Sequence, residues 1–253
     1  MPASTKKLVL TLAVGYASVL IVLALVHVFL SFSPYYQNNW LAAAFDMDEE
    51  CNIPSWFASI TWFSAAAAAA IAYFIEMKVQ LKARGRLLWL AIASVFMAAS
   101  VDEVLSLHEQ TGLMAKHHFE TTNSVASQLT DTVPFSPWLI IYLIPILIVL
   151  LGILLFINSR TRTLGSRRTA LILVIAAVAA YATALNCELY QAMPMNQCQT
   201  IASWFKTDVE WLTAVTVVCE EFLETLGTIF FFSAFVAYAH ELASSFPRLS
   251  VGE

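Results

Sequence analysis

Three short stretches concentrate the groups in this chain that could do chemistry: FDMDEECNIPSWF (Phe45–Phe57), FMAASVDEVLSLHE (Phe96–Glu109) and TVVCEEFLETLGT (Thr216–Thr228). Each sets carboxylates in or beside a long apolar run. In the first, Asp46, Asp48, Glu50 and Asn52 alternate, as oxygen ligands do at positions 1, 3, 5 and 7 of a calcium-binding loop. The EF-hand itself does not fit, because Cys51 and Phe57 stand where it needs glycine and glutamate. Asn52 is also a helix cap, with Pro54 in the first turn of the helix it would start.

In the second stretch, a helical turn of about 100° per residue puts Asp102, Ser106 and Glu109 on one face, with Glu103 to one side and His108 on another. In the third, Thr213, Thr216, Glu220, Glu224 and Gly227 form a polar stripe flanked by Glu221 and Thr228. A helix entering at Trp211 places Glu220 roughly 14 Å deep, near the middle of a bilayer. Ionisable groups at such depth face the bundle interior and mark ion paths, proton relays or ligand sites. Asp102, Glu103, Glu220, Glu221 and Glu224 have no basic residue beside them, since Lys116 and Lys206 are both in loops. They must share protons, bind cations, or do both.

The expected site therefore has Asp102, Glu220, Glu221 and Glu224 as deep ligands. Glu103, His108 and Glu109 form an outer ring, and Asp48, Glu50 and Asn52 a lid. Its oxygen-rich donor set suits a divalent ion, Ca²⁺, Mg²⁺ or Mn²⁺, and the one histidine also admits iron or zinc. A standard di-iron bundle would need Glu-x-x-His on two helices, and neither acidic helix has it. No His-Glu-x-x-His, Gly-x-Ser-x-Gly, Rossmann or Walker pattern is present, nor a lysine in a late helix to carry retinal. Cys187 and Cys198 bracket a short loop and are expected to form a disulfide. Met193-x-Met195 between them offers soft ligands, with His117 and His118 in another loop, but that signal is weak and copper is not expected. His27 and His240 are read as carrying no function.

The elements that must position these groups are membrane helices. The chain has 253 residues, 59% hydrophobic and only 12% charged, about half the charge of an ordinary soluble domain. Six apolar runs are long enough to cross a bilayer: about 8–32, 54–75, 87–107, 138–157, 169–185 and 211–239. The fold class is all-α, a single six-helix transmembrane domain. The first run is too long for a signal-peptide core and is read as retained. The segments on the side of the N-terminus hold 11 of the 13 basic residues, so by the positive-inside rule both termini are cytoplasmic. Of the 18 acidic residues, 15 lie elsewhere, giving the opposite face its negative character. SAAAAAAIA (Ser64–Ala72) offers a smooth surface for close helix packing. Trp56, Trp62, Trp138, Trp204 and Trp211 are placed at the outer interface.

The segment from Asp48 to Phe57 (DEECNIPSWF), Asp102-Glu103 with Ser106, His108 and Glu109, and Glu220-Glu221 with Glu224 and Gly227 together resemble a family of bacterial multi-pass membrane proteins with no assigned activity. That resemblance implies the fold and nothing else; the expected location is a bacterial inner membrane, crossed several times. Glu50-Cys51-Asn52 before a helix is also faintly similar to the calcium-binding acidic segment of alkaline ceramidases. Those hydrolases take their zinc from a His-x-x-x-His pair in the last helix, which this chain lacks. The leading expectation is cation or proton binding at an outward-facing site, with translocation as one use of it. The alternatives are a metal-dependent intramembrane hydrolase or oxidase acting on a lipid-like substrate, and an accessory subunit of a larger membrane complex. The expected partners are membrane lipid and other membrane subunits, not nucleic acid.

Overall fold

The computed structural model describes residues 3–31, 40–79, 83–122, 137–163 and 169–249. These residues are helical almost throughout, and no strand occurs among them. In chain order the helices are α1 (Ala3–Ser31), α2 (Trp40–Ala44), α3 (Ile53–Lys78), α4 (Ala83–Leu105), α5 (Leu107–Thr122), α6 (Pro137–Thr163), α7 (Thr169–Gln191), α8 (Met195–Trp204) and α9 (Val209–Leu249). Six of them, α1, α3, α4, α6, α7 and α9, are long and apolar enough to cross a membrane.

α9 is the axis of the bundle. It packs on α7, α3 and α1, while α4 covers α3, and α6 lies against α7 and α5. The alanine run of α3 is what permits this. Ala65, Ala66, Ala68, Ala69 and Ala72 are all buried, and their small side chains let neighbouring backbones approach while large rings fill the remaining space. Those rings are Trp89 and Phe96 from α4 and Phe231, Phe235 and Tyr238 from α9, all essentially buried. Trp89 meets Phe235 edge-on at 5.4 Å and Phe96 meets Phe231 edge-on at 5.4 Å, the geometry that ring quadrupoles favour. Trp62, expected at the interface, instead packs between Phe96 and Tyr181 at 5.1 and 5.9 Å. Trp56, Trp204 and Trp211 are exposed, and the side chain of Trp138 lies outside the described residues.

Two boundaries differ from the sequence reading in ways that matter. α3 runs on to Lys78, which turns Glu76 inward rather than into a loop. There Glu76 is fully buried, accepts from Trp89 Nε1 at 2.9 Å and Tyr238 Oη at 2.5 Å, and pairs with Arg160 Nη2 at 2.5 Å. Four helices meet at this one carboxylate. α7 likewise extends to Gln191, carrying Glu188 into the bundle. At 41 residues α9 is far longer than one crossing requires, so Glu220, about three turns in, is not fixed at mid-bilayer by its distance from Trp211.

Candidate functional site

The three acidic stretches meet at one end of the bundle, around a cavity of about 130 Å³. Asp48, Glu49 and Glu50 reach it from the segment between α2 and α3, and Glu103 from α4. His108 and Glu109 come from α5, Glu188 and Gln191 from α7, and Glu220, Glu221 and Glu224 from α9. Leu20 and Leu23 of α1 and Phe57 of α3 complete the wall.

The local folding explains the convergence. Asn52 caps α3: its Oδ1 accepts from Ser55 N at 3.1 Å, and Ser55 Oγ accepts from Asn52 N at 2.9 Å. Its Nδ2 donates back to the carbonyls of Asp46 at 2.5 Å and Glu49 at 2.6 Å, which coils the acidic segment above the cavity. Asn52 is thus the cap of α3, as expected, and lies outside the cavity wall, where it was also expected as a lid ligand. Cys51, in left-handed backbone at φ 61°, turns Glu50 toward α4, and its thiol donates to Val104 O at 3.1 Å.

The second acidic stretch is not one continuous helix. Ser106 has φ 52° and ends α4, so the face expected to join Asp102, Ser106 and Glu109 is broken there. The break reverses the roles of two neighbours. Glu103, expected in the outer ring, lies deep with Glu221 and Glu224. Asp102, expected as a deep ligand, leaves the cavity wall and caps the new turn, accepting from His108 N at 2.9 Å and contacting His108 Nδ1 at 3.0 Å. The Nδ1–H is thereby committed to Asp102, and Nε2 is left facing Glu50 Oε1 at 3.9 Å. Glu50 is also bonded by Ser106 Oγ.

One oxygen each from Glu50 and Glu109 and one nitrogen of His108 lie within 4.8 Å of one another. Two carboxylates and an imidazole held from behind by a third carboxylate form the outer-shell arrangement that orients a metal-bound histidine. Such a donor set fits Mn²⁺, Fe²⁺ or Zn²⁺, and its oxygens also fit Ca²⁺ or Mg²⁺. The electrostatics are those of carboxylates crowded around one imidazole. Burial pulls the His108 imidazolium down, but the Asp102 hydrogen bond and the charges of Asp102, Glu50 and Glu109 outweigh it and lift it to about 9. Burial raises the carboxyls of Asp48 and Glu50. A divalent ion would relieve these costs together.

Deeper in, Glu220 accepts from Gln191 Nε2 at 2.5 Å, and Glu188 comes within hydrogen-bonding reach of Glu220. Two carboxyls so placed must hold a proton or a cation between them. The side chains of Glu103, Glu221 and Glu224 make no hydrogen bond among the described residues and remain available to a ligand. Sequence reasoning missed Glu49, Glu188 and Gln191. For the last two a signal existed: Ala177, Tyr181 and Ala184 are buried at helical spacing, and the same face continues to Glu188 and Gln191.

The cysteines do not pair. All four are free, correcting the expected Cys187–Cys198 bridge. The Cys198 thiol instead turns to the carbonyls of Tyr190 at 3.6 Å and Met193 at 3.5 Å, where α8 folds back on the end of α7.

No curated protein and no solved structure matches this chain. The description "Domain of unknown function (DUF8692)" matches residues 9–239, nearly the whole sequence, and the chain belongs to that family.

Proposed function

We propose that this protein resides in a bacterial inner membrane with both termini cytoplasmic, and that its outward-facing carboxylate–imidazole cavity binds a divalent cation. The observation that carries this reading is the grouping of Glu50, His108 and Glu109 with Asp102 behind the imidazole. In this reading Glu50, His108 Nε2 and Glu109 hold the ion, Asp48 and Glu49 cover it, and Glu103, Glu221 and Glu224 supply further oxygens or accept protons beneath it. The orientation follows from the basic residues of the termini side, of which Lys82, Arg167 and Arg168 lie outside the described residues.

Binding is favoured over passage through the bilayer. Below the cavity, Tyr181 Oη bonds Thr228 Oγ1 at 2.5 Å, and below that Trp89, Phe96, Phe231 and Phe235 belong to one buried cluster. A layer of buried rings gives a hydrated ion nothing to coordinate.

The test is metal analysis by mass spectrometry on detergent-purified protein, comparing wild type with Glu50→Gln/His108→Ala. Near-stoichiometric metal that disappears in the variant supports the reading and identifies the ion. Equal metal in both, or none in either after dialysis against Mn²⁺, Zn²⁺ and Ca²⁺ in turn, overturns it.

A second reading has one observation in its favour. A groove of about 950 Å³ lined by Trp40, Ile53 and Trp56 shares Glu49 and Glu50 with the cavity, and all three apolar residues are exposed. An amphiphile lying there would put its polar end at the ion, the arrangement a metal-dependent hydrolase acting on a lipid-like substrate needs. Hydrolysis of lipid extracts by the metal-loaded protein, abolished in the same variant, would support it.

A further inference from the structure

The acidic segment over the cavity is tied on two sides by groups already described, Asn52 and Cys51. Its third side rests on α1, through a histidine to which no role has yet been given. His27 is buried near the end of α1. Its Nδ1 accepts from the backbone N–H of Met47 at 3.0 Å and lies 3.5 Å from Asp46 Oδ1. An accepting Nδ1 places the ring proton on Nε2, whose neighbour is Ser31 Oγ at 3.4 Å. Asp46 Oδ1 in turn accepts from Asp48 N at 3.1 Å, and the Met47 side chain is buried against Leu20 and Ile229.

We infer that His27 is a positioning residue: it latches the backbone of Met47 to α1 and so sets the register in which Asp48, Glu49 and Glu50 face the cavity. The physical case rests on what surrounds the bond. A buried backbone N–H must find an acceptor, and His27 Nδ1 is the one offered to Met47. The turn from Asp46 to Asp48 is closed by side-chain bonds rather than by a strand or helix, so it has no regular ladder to hold it. Shifting Met47 by one residue would take Asp48 and Glu50 away from the positions they share with His108 and Glu109. The effect of the latch on ion affinity rests on the proposed function, whereas the latch itself does not.

The experiment separates the two. Hydrogen exchange is followed by mass spectrometry over residues 45–52 in His27→Leu, which removes the acceptor at similar volume. The companion His27→Asn keeps an oxygen where Nδ1 sits. In His27→Leu the Met47 and Asp48 amides are expected to exchange about fivefold faster or more, the population shift that loss of one buried hydrogen bond produces, with α7 and α9 unchanged. In His27→Asn protection is expected to return. Unchanged exchange in the leucine variant overturns the latch. So does loss of protection in the asparagine variant, which remains decisive if the leucine variant does not fold. Mn²⁺ titration of the same proteins then reads the consequence, weaker binding in His27→Leu restored in His27→Asn. Absence of Mn²⁺ binding in wild type with the exchange result intact would sink the metal reading and leave the latch standing.

Discussion

His108 owes its orientation first of all to Asp102. Asp102 holds both its backbone N–H and its ring Nδ1, so Asp102→Asn should weaken metal binding about ten- to a hundredfold while leaving every direct ligand in place. Isothermal titration with Mn²⁺ or Zn²⁺ checks this, and an unchanged affinity would remove Asp102 from the site. That contact, with the charges of Glu50 and Glu109, also sets the pH dependence. With the imidazolium lifted to about 9, an incoming ion must displace a proton throughout the neutral range. Affinity should therefore fall about tenfold for each pH unit below about 9. A group whose folded value is raised stabilises the metal-free fold most when charged. That contribution is complete below the ordinary 6.5 and lost as pH rises through about 9. The melting temperature of the apo protein should decline across that window, and His108→Gln should flatten the decline.

At the scale of elements, the break between α4 and α5 and the cap on α3 do more for the site than any helix face. Asn52 carries two tasks that a substitution can separate. Asn52→Asp keeps the acceptor for Ser55 N but cannot donate to the carbonyls of Asp46 and Glu49. It should retain most of the thermal stability yet release the acidic segment and weaken metal binding. Asn52→Ala loses the cap as well, at about 1–2 kcal/mol, visible as a lower melting temperature. Equal melting temperatures for the two variants would show that the cap contributes nothing. Gly227 has a different importance. A Cβ there would stand 2.7 Å from the Tyr181 ring and 3.3 Å from Ala177 O, so α7 and α9 touch through a residue without a side chain. Gly227→Ala should part them and cost about 1–3 kcal/mol, the usual penalty of overpacking. It should also disturb the Tyr181–Thr228 bond that floors the cavity.

Among the described residues, the bundle has two polar ends with a buried aromatic middle. At the end bearing the termini, Thr5 Oγ1 meets His240 Nδ1 at 2.5 Å, and Glu76 gathers Trp89, Arg160 and Tyr238. The Arg160 guanidinium lies over Phe156 at 5.4 Å. Such a buried pair is not by itself a large source of stability, but breaking it exposes one uncompensated charge to a low dielectric. Arg160→Ala should therefore cost about 3–5 kcal/mol, while Glu76→Gln/Arg160→Met should recover much of that loss. Thermal unfolding in detergent of the single and double variants measures both. A double variant as unstable as the single one would contradict the assignment.

Composition alone determined that this chain is a bundle of six long apolar helices, because a bilayer-length run of apolar residues has no other stable arrangement in lipid. Spacing alone also marked the stripe of Glu220 and Glu224, since helical periodicity is a local property. Tertiary structure decided which acids meet. Asp102 and Glu103 are adjacent in sequence, yet one orients His108 and the other lines the cavity, because Ser106 takes a left-handed conformation that no pattern of apolar residues announces. Glu188 and Gln191 entered the site only because α7 continues past its apolar run to pack on α9. Glu76 looked like a loop residue until four helices converged on it. His27 looked inert on α1, since its partner is a backbone N–H twenty residues away. Periodicity reports which way a residue faces along its own helix; what it faces depends on where helices end and which ends are brought together, and that is set by packing across the bundle.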